Sequence, residues 1–205
     1  MKKTFTDFLR LGFKWFLDPV AGFLNRIGLT PISVTLIGVA GNVVAAYFIA
    51  RGHVSIGGVI VLIVWPIDAL DGTMARLRGE ASDWGAFVDS VSDRYSELII
   101  LGAVLYYFAM ASQHLLAVVT FVAAAGSILV SYVKARAEAQ SFSAKEGLLT
   151  RAERYLVLGP TLLFNIPAIG VWIIAVLANF TALQRSWFVR AQAHEKMRVQ
   201  VHKGE

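Results

Sequence analysis

The chain has 205 residues, 57% hydrophobic and 16% charged, with a formal net charge of +5 and no cysteine. Charged residues make up roughly a quarter of a typical soluble domain, so this composition excludes an ordinary water-soluble globule. The absence of cysteine excludes disulfides and thiolate metal sites, and the modest positive charge suits an anionic lipid surface rather than a nucleic-acid module.

Residues 1–18 are predicted as an amphipathic juxtamembrane helix. Phe5, Phe8, Leu9, Phe13 and Phe16 recur at helical spacing, while Lys2, Lys3, Arg10 and Lys14 supply a basic face for the headgroup layer. Charges run through this stretch and it lacks a small-residue cleavage site, which argues against a signal peptide. Six apolar segments follow, at 32–50, 55–77, 84–111, 114–137, 147–165 and 168–189. A spanning helix needs about 20 mostly apolar residues, and these segments meet that length. The links at 51–53, 112–113 and 165–167 hold only tight turns between antiparallel neighbours. Residues 191–205 are polar and predicted as a cytoplasmic tail.

Charge placement orients the bundle. Of the 19 Lys and Arg, only Arg51 falls in those three links, and all 14 Asp and Glu lie on the face shared by both termini. Basic residues accumulate on the cytoplasmic side of membrane proteins, so both termini are expected there. The fold class predicted is an all-α integral membrane protein of six transmembrane helices plus an N-terminal interfacial helix.

Charge in or beside a membrane helix is costly and by default functional. The second span ends in Asp68-Ala69-Leu70-Asp71-Gly72-Thr73-Met74-Ala75-Arg76, and the third begins Trp84-Gly85-Ala86-Phe87-Val88-Asp89-Ser90-Val91-Ser92-Asp93. Helical neighbours are three and four apart, which sets Asp68 beside Asp71 and Asp89 beside Asp93. The apolar run 98–111 covers about 21 Å, so Asp93 is expected near the inner edge of a hydrocarbon core about 30 Å thick. Four carboxylates in one space repel unless cations neutralise them. Oxygen-only ligands favour Mg²⁺, with Mn²⁺ as the alternative, and paired metals of this kind suit phosphoryl chemistry. Gly72 and Gly85 allow close approach of a backbone or pyrophosphate, and Arg76 lies within reach of a phosphate.

The run Asp68-x2-Asp71-Gly72-x2-Ala75-Arg76-x8-Gly85-x3-Asp89-x3-Asp93 resembles, position for position, the signature of the CDP-alcohol phosphatidyltransferase family. The resemblance implies a catalytic domain at 19–190. In it Asp68, Asp71, Asp89 and Asp93 would hold a two-metal centre, and Asp93 would also act as general base on the acceptor hydroxyl. Gly72, Arg76 and Ser82 would hold the CDP-lipid together with Pro31, Ile32, Ser33 and Val34. The resemblance further suggests a homodimer, and the one-sided Lys and Arg place the active site on the cytoplasmic face of the cell membrane.

The acceptor is read from basic residues. Ser131-Tyr132-Val133-Lys134-Ala135-Arg136-Ala137-Glu138, Arg151-Ala152-Glu153-Arg154 and Gln184-Arg185 end or open three helices on the cytoplasmic side. They resemble the prokaryotic branch that joins the phosphatidyl group of CDP-diacylglycerol to inositol phosphate, in which Ser131, Lys134, Arg154 and Arg185 would meet the acceptor phosphate. Glycerol 3-phosphate is the rival acceptor, and a divalent-cation transporter is the alternative from another class.

Overall fold

The computed structural model describes residues 5–80, 82–144 and 147–201, with the side chains of 5–14, 16, 68, 69 and 199–201 outside that description. The side chains named for the basic and apolar faces of the N-terminal helix all lie outside the described residues. In chain order the elements are α1 (Phe5–Arg26), α2 (Pro31–Ala50), α3 (Val54–Val64), a 3₁₀ turn (Trp65–Ile67), α4 (Asp68–Arg78), α5 (Asp83–Met110), α6 (His114–Glu138), α7 (Arg151–Leu163) and α8 (Pro167–Val201). No strand occurs among the described residues.

The three tight links form as expected, and by one device. After α2, Gly52 adopts φ +86° and its N–H bonds the Ile49 carbonyl, while the His53 N–H bonds Phe48. Ser112 after α5 and Asn165 after α7 repeat the pattern with left-handed φ of 57° each. A left-handed residue followed by these two bonds satisfies the last carbonyls of a helix and reverses the chain at once.

The predicted span 55–77 is present as the helical stretch Val54–Arg78. Within it the ladder tightens to a 3₁₀ turn at Trp65–Ile67, between α3 and α4, because Pro66 has no N–H to continue the α-helical pattern. α4 carries Asp68 and Asp71. Two other elements differ in extent. α7 begins at Arg151, where Thr150 and Glu153 form a reciprocal capping box, rather than at 147. α8 continues as helix to Val201, through most of the stretch expected as a tail.

Among the described residues, four helical stretches are long and apolar enough to cross a bilayer: Pro31–Ala50, Val54–Arg78, His114–Glu138 and Pro167–Arg198. α5 has the length, but Asp83, Asp89, Asp93, Arg94 and Glu97 fall within its first 15 of 28 residues; α7 has 13 residues. The outer surface supports a lipid environment. Leu36, Val43, Tyr47, Ile63, Phe121, Val176 and Phe180 are all exposed, an apolar exterior too extensive for water.

The main core joins α2, α3, α5, α6, α7 and α8 through residues such as Ile49, Val61, Ile100, Val104, Leu162 and Ile174. Helices approach closely where glycine permits: a Cβ on Gly58 would collide with the Leu163 backbone nitrogen. A second, smaller core of Leu17, Ala21, Val34, Leu70 and Met74 ties α1 and α2 to α4. Asn25 donates to the Met74 carbonyl at 3.3 Å and Arg78 to the Leu29 carbonyl at 2.7 Å. The second half of α1 thus clamps the aspartate helix from outside.

Candidate active site

Asp71 is buried on α4, and α2 orients it. The Thr35 hydroxyl donates to Asp71 Oδ2 at 2.6 Å, and the Gly72 N–H donates to Oδ1 at 2.5 Å. Both donors are neutral, so they fix the carboxylate without neutralising it. Arg76 donates to the Thr73 hydroxyl at 2.9 Å, one turn along. A Cβ on Gly72 would sit 3.5 Å from Arg76 Nη1, an ordinary contact. Packing among the described side chains therefore does not demand glycine here, which leaves room for a ligand as the reason. Asp68 opens α4, but its side chain lies outside the described residues.

At the start of α2, Thr30 caps the helix by accepting from the Ser33 N–H, and Pro31 occupies the first turn. Pro31, Ile32 and Ser33 are half-buried; Val34 points into the small core against Leu70 and Met74. Of these four expected CDP-lipid contacts, the Val34 side chain is thus engaged by the protein itself. Ser82 is exposed and caps α5, accepting from the Gly85 N–H at 3.1 Å.

On α5, Asp89 is half-buried and Asp93 is 8% exposed. Asp93 Oδ1 lies 2.5 Å from Arg151 Nη1 of α7, and Arg94 Nη1 is 3.4 Å from Oδ2. One turn further in, Glu97 accepts both Nε and Nη2 of Arg154, at 2.5 and 2.8 Å. Two ion pairs therefore bridge α5 to α7. Glu97 and Arg151 were not among the residues expected from sequence. Glu97 continues the spacing of Asp89 and Asp93 by four and obeys the same rule about charge in an apolar helix, so the signal for it was present.

The residues expected around the acceptor phosphate have partners of their own. Arg154 is fully buried and also donates to the Leu149 carbonyl at 3.2 Å. Arg185, 4% exposed, donates to the Val130 carbonyl at 2.8 Å, and its electrostatic neighbours include Arg154, Glu138 and Glu153. Lys134 lies 3.9 Å from Glu138, and the Ser131 hydroxyl donates to the Ser127 carbonyl at 3.4 Å. Arg154 and Arg185 are brought into one neighbourhood, with Lys134 linked to it through Glu138.

Among the described residues no three His, Cys, Asp or Glu side chains group closely enough to hold a metal ion. The donors at hand, Asp71, Asp89 and Asp93, are nevertheless all carboxylates without imidazole or thiol beside them. That set fits a hard divalent cation such as Mg²⁺ or Mn²⁺ and not a soft one.

A family model described as CDP-alcohol phosphatidyltransferase matches residues 28–188. A phosphatidylinositol phosphate synthase of Streptomyces avermitilis is 35% identical over 95% of this chain and 86% of its own length. Two crystal structures of phosphatidylinositol phosphate synthase from Mycobacterium tuberculosis are also similar, each at 30% identity. The one with CDP-DAG bound has a TM-score of 0.79 and covers 84% of this chain and 92% of that chain. The one in complex with manganese and citrate has a TM-score of 0.80 and covers 84% and 88%.

Proposed function

The chain belongs to the CDP-alcohol phosphatidyltransferase family, and on that premise we propose that it transfers the phosphatidyl group of CDP-diacylglycerol to inositol phosphate with release of CMP. As an enzyme of that class it is not the cation transporter weighed from its acidic helices. The relatives' names carry the donor and the acceptor. The observation in this structure that favours an anionic acceptor is the pair of buried, neighbouring arginines, Arg154 and Arg185. Glu97 compensates Arg154, and Glu138 and Glu153 act on Arg185; a phosphate beside the two guanidiniums would add charge-assisted hydrogen bonds to a site already rich in arginine.

Asp68, Asp71, Asp89 and Asp93 would hold two divalent cations, a reading supported by the all-oxygen donor set and by the manganese bound to a similar enzyme. Bound there, the metal supplies charge stabilisation for the pyrophosphate and the departing CMP. The chain's own residues do the rest. Gly72, Arg76, Ser82 and the first turn of α2 at Pro31, Ile32 and Ser33, with the backbone of Val34, hold the CDP moiety. Ser131, Lys134, Arg154 and Arg185 hold the acceptor phosphate. Asp93 takes the proton of the attacking hydroxyl.

In this reading α5 and α7 complete six spans, both termini face the cytoplasm, and the enzyme is a homodimer in the cell membrane. The one-sided distribution of Lys and Arg supports the orientation. Purified protein given labelled CDP-diacylglycerol and, separately, inositol phosphate or glycerol 3-phosphate tests the acceptor. Product from inositol phosphate is expected; product from glycerol 3-phosphate alone would sink the assignment.

A further inference from the structure

Arg151 is a residue for which the reaction scheme above has no role, yet its guanidinium touches the proposed base. Its Nη1 lies 2.5 Å from Asp93 Oδ1, and the two side chains are only 26% and 11% exposed. Arg94 is a poor substitute. It stands 3.4 Å away on the other oxygen, and the same nitrogen donates to the Ser90 carbonyl of its own helix at 2.6 Å.

The guanidinium of Arg151 also has a second support. Its Cζ lies over the Tyr155 ring, 5.4 Å from the centroid. Tyr155 in turn stacks on Trp65, with ring centroids 6.4 Å apart and planes within 2° of parallel. Trp65 begins the 3₁₀ turn that runs directly into Asp68. One side chain of α7 therefore touches the Asp93 carboxylate while resting on an aromatic platform anchored at the start of the other aspartate helix. An aromatic face stabilises a cation that leaves its carboxylate.

We infer that Arg151 is a built-in counter-ion of Asp93: it neutralises and positions the carboxylate when no divalent cation is bound, and yields that oxygen when one binds. The inference rests on the proposed metal centre. The physical reason is competition. A guanidinium within hydrogen-bond distance of a carboxylate oxygen and a divalent cation on the same oxygen would repel strongly in a partly desolvated site. The apparent affinity for the cation is then lowered by the fraction of protein in which Arg151 holds the oxygen. Arg151 is a positioning residue here, acting through Asp93. The neighbouring Glu97–Arg154 pair fixes α7 against α5, so the exchange needs only a side chain to move.

The test is Mn²⁺ binding to purified, substrate-free protein, followed by electron paramagnetic resonance, for wild type, Arg151→Gln and Arg151→Lys. Removing the guanidinium is expected to tighten Mn²⁺ binding by about three- to tenfold in Arg151→Gln, with a smaller tightening in Arg151→Lys, whose compact ammonium lacks the planar fork. A support with a purely structural role would weaken binding or leave it unchanged. The thermal midpoint gives a second readout: Arg151→Gln should lose stability without metal and gain more from saturating Mn²⁺ than wild type does. Wild-type protein that binds no Mn²⁺ would overturn the metal reading itself. Wild type that binds Mn²⁺, with both variants equal to it or weaker, would overturn the counter-ion role and leave the metal reading standing.

Discussion

Glu97 of α5 and Arg154 of α7 form a bidentate ion pair that is almost completely withdrawn from solvent, with side-chain exposures of 5% and 2%. Both ends of the guanidinium are used, since Arg154 Nη1 also meets the Leu149 carbonyl. Breaking such a pair leaves a buried charge without compensation, which typically costs about 3–5 kcal/mol. Glu97→Gln is therefore expected to lower the thermal midpoint sharply. Glu80→Gln, which removes the exposed partner of the long 3.7 Å Arg78–Glu80 pair, should change stability by less than about 1 kcal/mol. Replacing both buried partners, Glu97→Leu with Arg154→Met, should recover much of the stability while the KM for the phosphorylated acceptor stays raised. Recovery of both would show that Arg154 has no part in substrate binding.

Asp93→Asn keeps the shape of the side chain and removes its basicity. Loss of a general base typically lowers turnover by about 10²–10⁴-fold. Binding of the CDP-lipid, measured separately by titration, should change little. A variant with near-wild-type turnover would remove Asp93 as the base.

Thr35 matters through Asp71. Thr35→Val removes the donor at Asp71 Oδ2 while keeping the volume, leaving a buried carboxylate one hydrogen bond short, at about 1–3 kcal/mol. Mn²⁺ affinity should fall because the carboxylate is no longer held in place. Unchanged affinity and unchanged stability together would contradict the orienting role.

Two glycines separate packing from ligand approach. Gly58→Ala forces a Cβ onto the Leu163 backbone, and overpacking of this kind costs about 1–3 kcal/mol; the expected result is a lower melting temperature. Among the described side chains Gly72→Ala meets only Arg76, at an ordinary distance, so its stability should match wild type while the KM for CDP-diacylglycerol rises. A Gly72→Ala variant with unchanged donor kinetics would show that no substrate group passes there.

Lys134→Ala addresses the acceptor directly. Its ammonium is half-exposed and its partner Glu138 lies at 3.9 Å, a weak pair, so folding should be unaffected. The KM for inositol phosphate is expected to rise several-fold more than that for the lipid donor. Equal rises would point to a general electrostatic effect at the membrane surface.

Much of this protein is written locally in its sequence. Gly52, Pro66 and the Thr150–Glu153 box set where helices turn, tighten and start, since each acts within a few residues of itself. The spacing of Asp68, Asp71, Asp89 and Asp93 identifies the reaction class for a related reason: carboxylates at three- and four-residue intervals share a helix face whatever surrounds them. Pro66 tightens the second span locally into a 3₁₀ turn without ending it.

Partnership across helices was not legible in that way. Arg151 and Arg154 both open α7 and look alike in sequence, yet one neutralises Asp93 and the other Glu97. Glu97 and Arg154 stand 57 residues apart, and which carboxylate meets which guanidinium depends on the tilt and rotation of α5 against α7. Those are set by packing throughout the core, including the glycine contact of α3 with α7. The sequence by itself determined the helices, their caps and the carboxylates that bear the chemistry. Only the tertiary structure decided how each buried charge is compensated, because compensation acts over a few ångströms in space and sequence spacing specifies that only within a single helix.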